Sequence, residues 1–304
     1  MSNLSLYALS VLIWGSTWLA IKFQLGVAPP AVSVAARFLL AAALLFAYAA
    51  RRRLPLAFSR KAHLWLALQG LLMFGLNYVT VYLAERSLAS GIVAVIFSLS
   101  VFCNLIGARL AFGTPIQPAA MAGALVGCAG VGLLFSPQLA NLAASGAELG
   151  DVALAIFSAL VASAGNIVAS RNHRAGQPVI TNTAWSMLYG AVGVACYAAA
   201  TECGIVLDWS AGYVASLVYL SVFGSVIAFT AYLTLMKRVG PGKAGYSSVA
   251  IPVVALLLST LFEHLRWRPL MVAGALLCLA GNVLVLRSGR RQQAAPGAEK
   301  PRTR

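Results

Sequence analysis

Polar and apolar positions in this chain do not alternate; they separate into blocks. Ten mostly apolar runs can be marked: Leu4–Phe23, Ala31–Ala50, Leu64–Leu83, Leu88–Ala111, Gln117–Phe135, Leu149–Ala169, Thr181–Ala200, Ala211–Leu235, Gly242–Phe262 and Leu270–Leu286. Runs of about 20 apolar residues are long enough to cross a hydrocarbon core of roughly 30 Å as helices. The separators are short and carry Pro, Gly and charge, as at Pro29-Pro30, Arg51-Arg52-Arg53, Gly113-Thr114-Pro115 and Gly240-Pro241-Gly242. A bilayer offers no hydrogen bonds to exposed peptide groups, so spans this continuous are expected as helices, not barrel strands. The fold class read from the pattern is an all-α integral membrane protein with ten transmembrane helices. The first run has no basic segment before it and nine more follow, so it reads as a span and not as a cleaved signal.

Composition agrees. The 304 residues are 61% hydrophobic and only 10% charged, which no water-soluble domain resembles. The formal charge of +15 invites a nucleic-acid partner, and its distribution argues against one. With the amino terminus in the cytoplasm, seventeen Lys and Arg fall in cytoplasmic segments, against four outside (Lys22, Arg86, Arg266, Arg268). That asymmetry is the positive-inside pattern of a cytoplasmic (inner) membrane protein, multi-pass with both termini cytoplasmic. Glu85, Glu148, Asp151, Glu202, Asp208 and Glu263 then face outward, and only Glu299 inward. The basic tail, 288–304, reads as disordered and able to touch anionic lipid.

The chain also repeats itself. Residues 118–135 align with 269–286, sharing Pro118/Pro269, Ala122/Ala273, Gly123/Gly274, Ala124/Ala275, Leu125/Leu276, Ala129/Ala280, Gly130/Gly281 and Leu133/Leu284. Tyr82-Leu83 falls close to the same register with Tyr232-Leu233. The expected units are a first five-helix repeat, 1–140, and a second, 141–287. An odd number of spans per repeat inverts the second in the membrane, an arrangement suited to alternating access.

Trp14-Gly15-Ser16-Thr17-Trp18, Ala36-Arg37-Phe38-Leu39-Leu40-Ala41-Ala42, Pro252 with Glu263 eleven residues on, and the Ala-Gly-Ala-Leu of both halves resemble the EamA family of the drug/metabolite transporter superfamily. The resemblance covers residues 4–286. It implies two inverted five-helix bundles around a central cavity lined by the first four helices of each half. It also implies transport of small organic solutes, often amino acids or other metabolites, frequently outward. Phe112 stands where a first-half copy of Glu263 would be, which departs from a symmetric role for the acid.

A transport cavity needs polar and aromatic groups in a medium that penalises them. Tyr78 and Tyr82 lie four apart on one helical face with Asn77 beside them, and Trp14 and Trp18 share a face around Ser16 and Thr17. The second half offers Ser163, Asn166, Trp185 with Tyr189, Phe229 and Tyr232. Aromatic faces can hold an apolar or cationic group while Asn and Ser hydrogen-bond a carboxylate or carbonyl, a mixture that suits an amino acid. Helix packing and interhelical hydrogen bonds account equally well for several of these residues. Trp65, Trp209 and Trp267, at span ends, read as interfacial belt residues.

Arg37 is the one basic residue well inside a span: either an anchor that snorkels outward or a partner for a substrate carboxylate. No Asp or Glu lies at mid-membrane, so the obvious proton relay is missing and facilitated diffusion is at least as expected as proton exchange. Gly245 and Pro252 mark a gate hinge, or else a static kink, in the ninth span. Gly123 and Gly127 suit close helix packing. Five Cys without a CxxC pair and three scattered His give no metal site, and no cofactor is expected. The partners are therefore a small-molecule substrate and the lipid bilayer; oligomeric state is left open, a monomer being compatible. Seven acids, none clustered in a span, argue against an intramembrane enzyme. The rival readings are a multidrug exporter of lipophilic cations, which calls for an acidic cavity, and a non-transporting sensor or scaffold on the same fold.

Overall fold

The computed structural model describes residues 1–134, 146–201, 206–239 and 247–294. These form helices α1 (Asn3–Lys22), α2 (Pro30–Arg51), α3 (Arg60–Ala84), α4 (Ser90–Phe112), α5 (Pro118–Leu134), α6 (Gly146–Arg174), α7 (Val179–Thr201), α8 (residues 211–239), α9 (Ser247–Phe262) and α10 (Pro269–Ala294). No strand occurs among the described residues. Seven of the helices are long and apolar enough to cross a membrane; the apolar parts of α5, α9 and α10 are shorter. Each overlaps one expected span. The tail expected to be disordered from 288 begins as helix, since α10 continues to Ala294, and 295–304 lie outside the described residues.

Local chemistry sets the ends. Pro30 opens α2, where a missing N–H costs nothing. Ser59 Oγ accepts from Ala62 N at 3.2 Å to cap α3, and Ser210 Oγ accepts from Tyr213 N at 3.4 Å to cap α8. Gly113 closes α4 with φ +68°, a left-handed position that glycine takes freely.

Two helices widen at corresponding places. A π-helical turn interrupts α3 at Leu71–Leu76, and another interrupts α8 at Leu220–Ile227. Such a turn carries one extra residue and disturbs the regular bonding ladder. Side chains assist at both: Asn77 Nδ2 donates to Met73 O at 3.2 Å, and Ser225 Oγ donates to Leu220 O at 3.0 Å. A second irregularity divides α4 at Ser98–Leu99, between Ser90–Phe97 and Ser100–Phe112.

Packing follows small residues. Helices α5 and α10 run backbone to backbone: a Cβ on Gly123 would lie 2.8 Å from Gly281 O, and one on Gly130 would lie 2.7 Å from Gly274 O. The glycine spacing read as a packing face is that seam. Helices α3 and α7 approach as closely at Gly70 and Gly190, where a Cβ on Gly190 would meet Gly70 O at 2.5 Å. Around these crossings α2 packs on α7, α1 on α8 and α9, and α6 on α3 and α4. Phe38, Phe74, Tyr82, Ile96, Met187 and Leu220 fill the interior between them.

Candidate functional site

Among the buried side chains the largest is Arg37, only 2% exposed and two turns into α2. Its main chain is fastened by Ser221 Oγ, which donates to Arg37 O at 3.1 Å, while one turn earlier Ser33 and Tyr213 join hydroxyls at 3.0 Å. These bonds tie α2 to α8. The guanidinium lies 4.7 Å from the centre of the Tyr78 ring, and that ring meets Phe38 edge-on at 4.7 Å. Nε and Nη1 are buried without a hydrogen-bond partner among the described residues. A guanidinium has five fixed donors and no way to lose its charge, so idle N–H groups on two of its three nitrogens are costly in this setting.

The wide turn of α8 forms the opposite wall. Gly224 leaves room there, because a Cβ would come within 2.8 Å of Thr17 Cγ2 and 3.5 Å of Arg37 Nη2. Its carbonyl accepts the indole N–H of Trp14 at 3.0 Å. The Trp14 ring also meets Phe229 and Tyr232, each with centroids 5.2 Å apart, and Phe229 reaches Phe74 at 6.3 Å. A chain of contacts thus links Trp14, Arg37, Tyr78, Phe229 and Tyr232 from four helices. It pairs a fixed cation with aromatic faces, chemistry that suits an anionic group at one end and an apolar group at the other.

Residues 1–136 match the EamA-like transporter family, and residues 151–287 match it a second time. The chain belongs to the EamA-like transporter family. It is 33% identical over 267 residues to the "Uncharacterized inner membrane transporter YedA" of Escherichia coli (strain K12), covering 84% of this chain and 81% of that protein. It is 25% identical over 296 residues to the "Probable amino-acid metabolite efflux pump" of the same strain, covering 92% and 94%. A crystal structure aligns with 96% of this chain and 99% of its own at a TM-score of 0.67 and 20% identity, which shows a shared fold. The protein is therefore a multi-pass membrane transporter.

Other expected site residues of this EamA-like transporter lie elsewhere. Trp18 turns to α4 and packs on Phe97 at 5.3 Å. Tyr82, by contrast, adjoins Arg37: it is fully buried, donates to Gln24 Oε1 at 2.6 Å, and its hydroxyl also interacts with the Arg37 guanidinium. Asn77 is occupied in the α3 π turn on one side, with its Oδ1 unpartnered. Asn166 Nδ2 donates to Asn104 Oδ1 at 3.4 Å, and Ser163 is buried on the same α6 face opposite Gly107 of α4. Trp185 donates to Leu56 O at 3.0 Å within an aromatic group of Phe46, His63 and Tyr189, toward the end that carries Arg51 to Lys61. Pro252 lies inside α9, and Gly245 lies outside the described residues. Of the belt tryptophans, Trp209 is 79% exposed, whereas Trp65 lies 4.0 Å beneath the Arg171 guanidinium.

The two ends of the molecule differ. At the basic end a cleft of about 510 Å³ is lined by Phe58, Lys61, Arg171, Gln177 and Pro178 among others. Beneath it lies a buried amide chain that the sequence reading missed. Asn172 Nδ2 donates to Gln69 Oε1 at 2.9 Å, Gln69 Nε2 to Asn182 Oδ1 at 2.9 Å, and Asn182 Nδ2 to Gln177 Oε1 at 2.8 Å. At the acidic end Lys22 Nζ pairs with Glu263 Oε1 at 3.5 Å and donates to the main-chain oxygens of Glu85 and of Leu88, the latter at 2.7 Å. The Glu263 carboxylate also accepts the Ser90 N–H at 3.1 Å and the Ser90 hydroxyl, capping α4. Glu85 sits one residue past α3, where the sequence places it facing outward. It is wholly buried, and both carboxyl oxygens lack a hydrogen-bond partner among the described residues.

Proposed function

We propose that the protein is a secondary transporter of small carboxylate-bearing metabolites such as amino acids, working by alternating access between two inverted five-helix halves. The observation that carries this reading is Arg37, a wholly enclosed guanidinium with idle donors over an aromatic floor. A bound carboxylate would satisfy Nε or Nη1, with Nη2 completing the planar fork in either case, and Trp14, Phe229 and Tyr232 would enclose an apolar side chain. The same cation disfavours a lipophilic-cation exporter, whose cavity calls for acid. The paired π turns, the recurrence of one family match in each half and the α5–α10 seam support a duplicated architecture. The positive-inside rule sets the basic end and both termini in the cytoplasm. Lys22, Glu263 and Ser90 then hold the external side closed, with the 510 Å³ cleft on the cytoplasmic side. Pro252 in α9 is the hinge of this reading, and efflux is its direction.

Counterflow in proteoliposomes, with a radiolabelled mixture of the protein amino acids against sugars and organic cations, tests the proposal. Amino acids are expected to exchange and organic cations not to. Tyr78→Ala and Tyr82→Ala should each lower exchange at least tenfold at unchanged membrane insertion. A protein that exchanges none of these solutes favours the sensor or scaffold reading, and normal exchange by both variants moves the site away from α3.

A further inference from the structure

The acidic end contains two carboxyl groups in opposite situations. Glu263 is provided for: it accepts from Ser90 twice over and pairs with Lys22. Glu85 is not. An ammonium has three donors, and those of Lys22 are directed at the carbonyls of Glu85 and Leu88 and at Glu263. None remains for the Glu85 carboxyl, although the two residues touch through the main chain. An ionised carboxylate enclosed without a donor is among the least favourable states a side chain can adopt, and such a group takes up a proton instead.

We propose that Glu85 is a proton-binding site that latches the acidic end of the transporter: its carboxyl takes a proton from solvent as that end closes and returns it as the end opens. The groups around it come from every adjoining element. Lys22 on α1, Arg37 on α2 and Glu263 just past the end of α9 act on it electrostatically, with Tyr82 on α3, the helix it follows. Arg86 beside it is exposed, and Asp151 on α6 is occupied with the Ser87 hydroxyl. Burial raises the Glu85 carboxyl well above its ordinary value; Lys22 and Arg37 oppose that shift and Glu263 adds to it. The sign follows. With the closed-state pKa above the open-state one, closure is favoured fully below the ordinary carboxylate range, and the advantage is lost as pH rises through the raised value. Separation of α1, α4 and α9 would break the Lys22–Glu263 pair and wet Glu85, so opening and proton release are one event. The missing mid-membrane acid is thus supplied by a residue at a helix end that folding has enclosed.

The protonation of Glu85 stands on its own geometry, while its coupling to solute passage rests on the transport reading above; two measurements keep them apart. Infrared pH titration of the purified protein in lipid should show a carbonyl band from a protonated carboxylic acid that persists well above the ordinary carboxylate range. That band should vanish in Glu85→Gln and survive in Asp151→Asn. Where Glu85→Gln does not assemble, Glu85→Asp serves, and a shifted band is expected. A band unchanged by the Glu85 substitution, or one that titrates in the ordinary range, overturns the site. In proteoliposomes carrying a labelled mixture of the protein amino acids, an imposed pH difference should alter wild-type counterflow severalfold and leave that of Glu85→Gln unaltered. Wild-type counterflow indifferent to the gradient overturns the latch. Absence of any wild-type counterflow overturns the transport reading alone, since the infrared band still decides whether Glu85 holds a proton.

Discussion

Replacing Arg37 by methionine should make the empty protein more stable and the transporter inactive. The guanidinium is 2% exposed with Nε and Nη1 unpartnered. Counted per nitrogen, each left idle costs about 1–3 kcal/mol, so the pair costs about 2–6 kcal/mol. The Tyr78 ring 4.7 Å away returns part of this, about 2 kcal/mol for a desolvated cation–π contact. Ser221 bonds only the main chain of residue 37 and is unaffected by the change. The difference leaves Arg37→Met more stable by about 0–4 kcal/mol, centred near 2, in line with the gains seen when buried charges give way to apolar groups of similar size. Unfolding by a denaturing detergent, followed by tryptophan fluorescence, reads the stability; amino-acid counterflow reads the activity. Arg37→Lys should restore little exchange, because an ammonium lacks the planar fork that engages a carboxylate in two places. A variant destabilised by more than about 1 kcal/mol would mean that the guanidinium has partners that matter more than its idle donors. An active Arg37→Met would remove the carboxylate site altogether.

The other expectations are narrower. Gly130→Val places a side chain against the backbone of α10, whose Cys278 N would lie 2.6 Å from the new Cβ; destabilisation of about 1–3 kcal/mol or more should appear in the same unfolding assay. Gln69→Leu removes the middle of the amide chain and leaves Asn182 Oδ1 without its donor, a loss of about 1–3 kcal/mol read as a lower thermal midpoint in detergent. Trp14→Phe keeps the aromatic wall but leaves Gly224 O without its indole donor, for about 1 kcal/mol of stability and slower exchange in the counterflow assay.

What could be read before the structure was whatever a single helix decides alone. The spans and their Pro and Gly punctuation are such features, and so is the glycine face of α5, because small residues spaced along one side of a helix have few other uses in lipid. Arg37 was visible for the same reason: one cation inside an apolar run is conspicuous whatever surrounds it. The π turns were not visible. Leu71–Leu76 and Leu220–Ile227 contain the same apolar letters as ordinary helix, and only the side-chain donors Asn77 and Ser225 hinted at disturbed carbonyls. The amide chain left a signal, an amide in the third span and another in the seventh, but three helices must meet before Gln69 finds Asn172 and Asn182. The enclosure of Glu85 was hidden for a similar reason. The charge pattern assigns it to the outer side, and only the folded chain, with Lys22, Arg37 and Glu263 acting on it, shows it wholly buried there. Conversely, four-residue spacing placed Tyr78 and Tyr82 on one face correctly, yet one ring underlies Arg37 while the other hydroxyl is committed to Gln24.

The seam between α5 and α10 restricts how this protein can move. Its close contacts, Gly123 against Gly281 and Gly130 against Gly274, are backbone on backbone and sit seven residues apart, about 10 Å along each axis. Two points that can neither approach nor slide define a line, and a line fixed in both partners leaves one inexpensive freedom, a roll about it. The contact is bare peptide, which cannot yield as side chains do, so a bulky residue at any of the four glycines would force the two backbones apart along the whole seam.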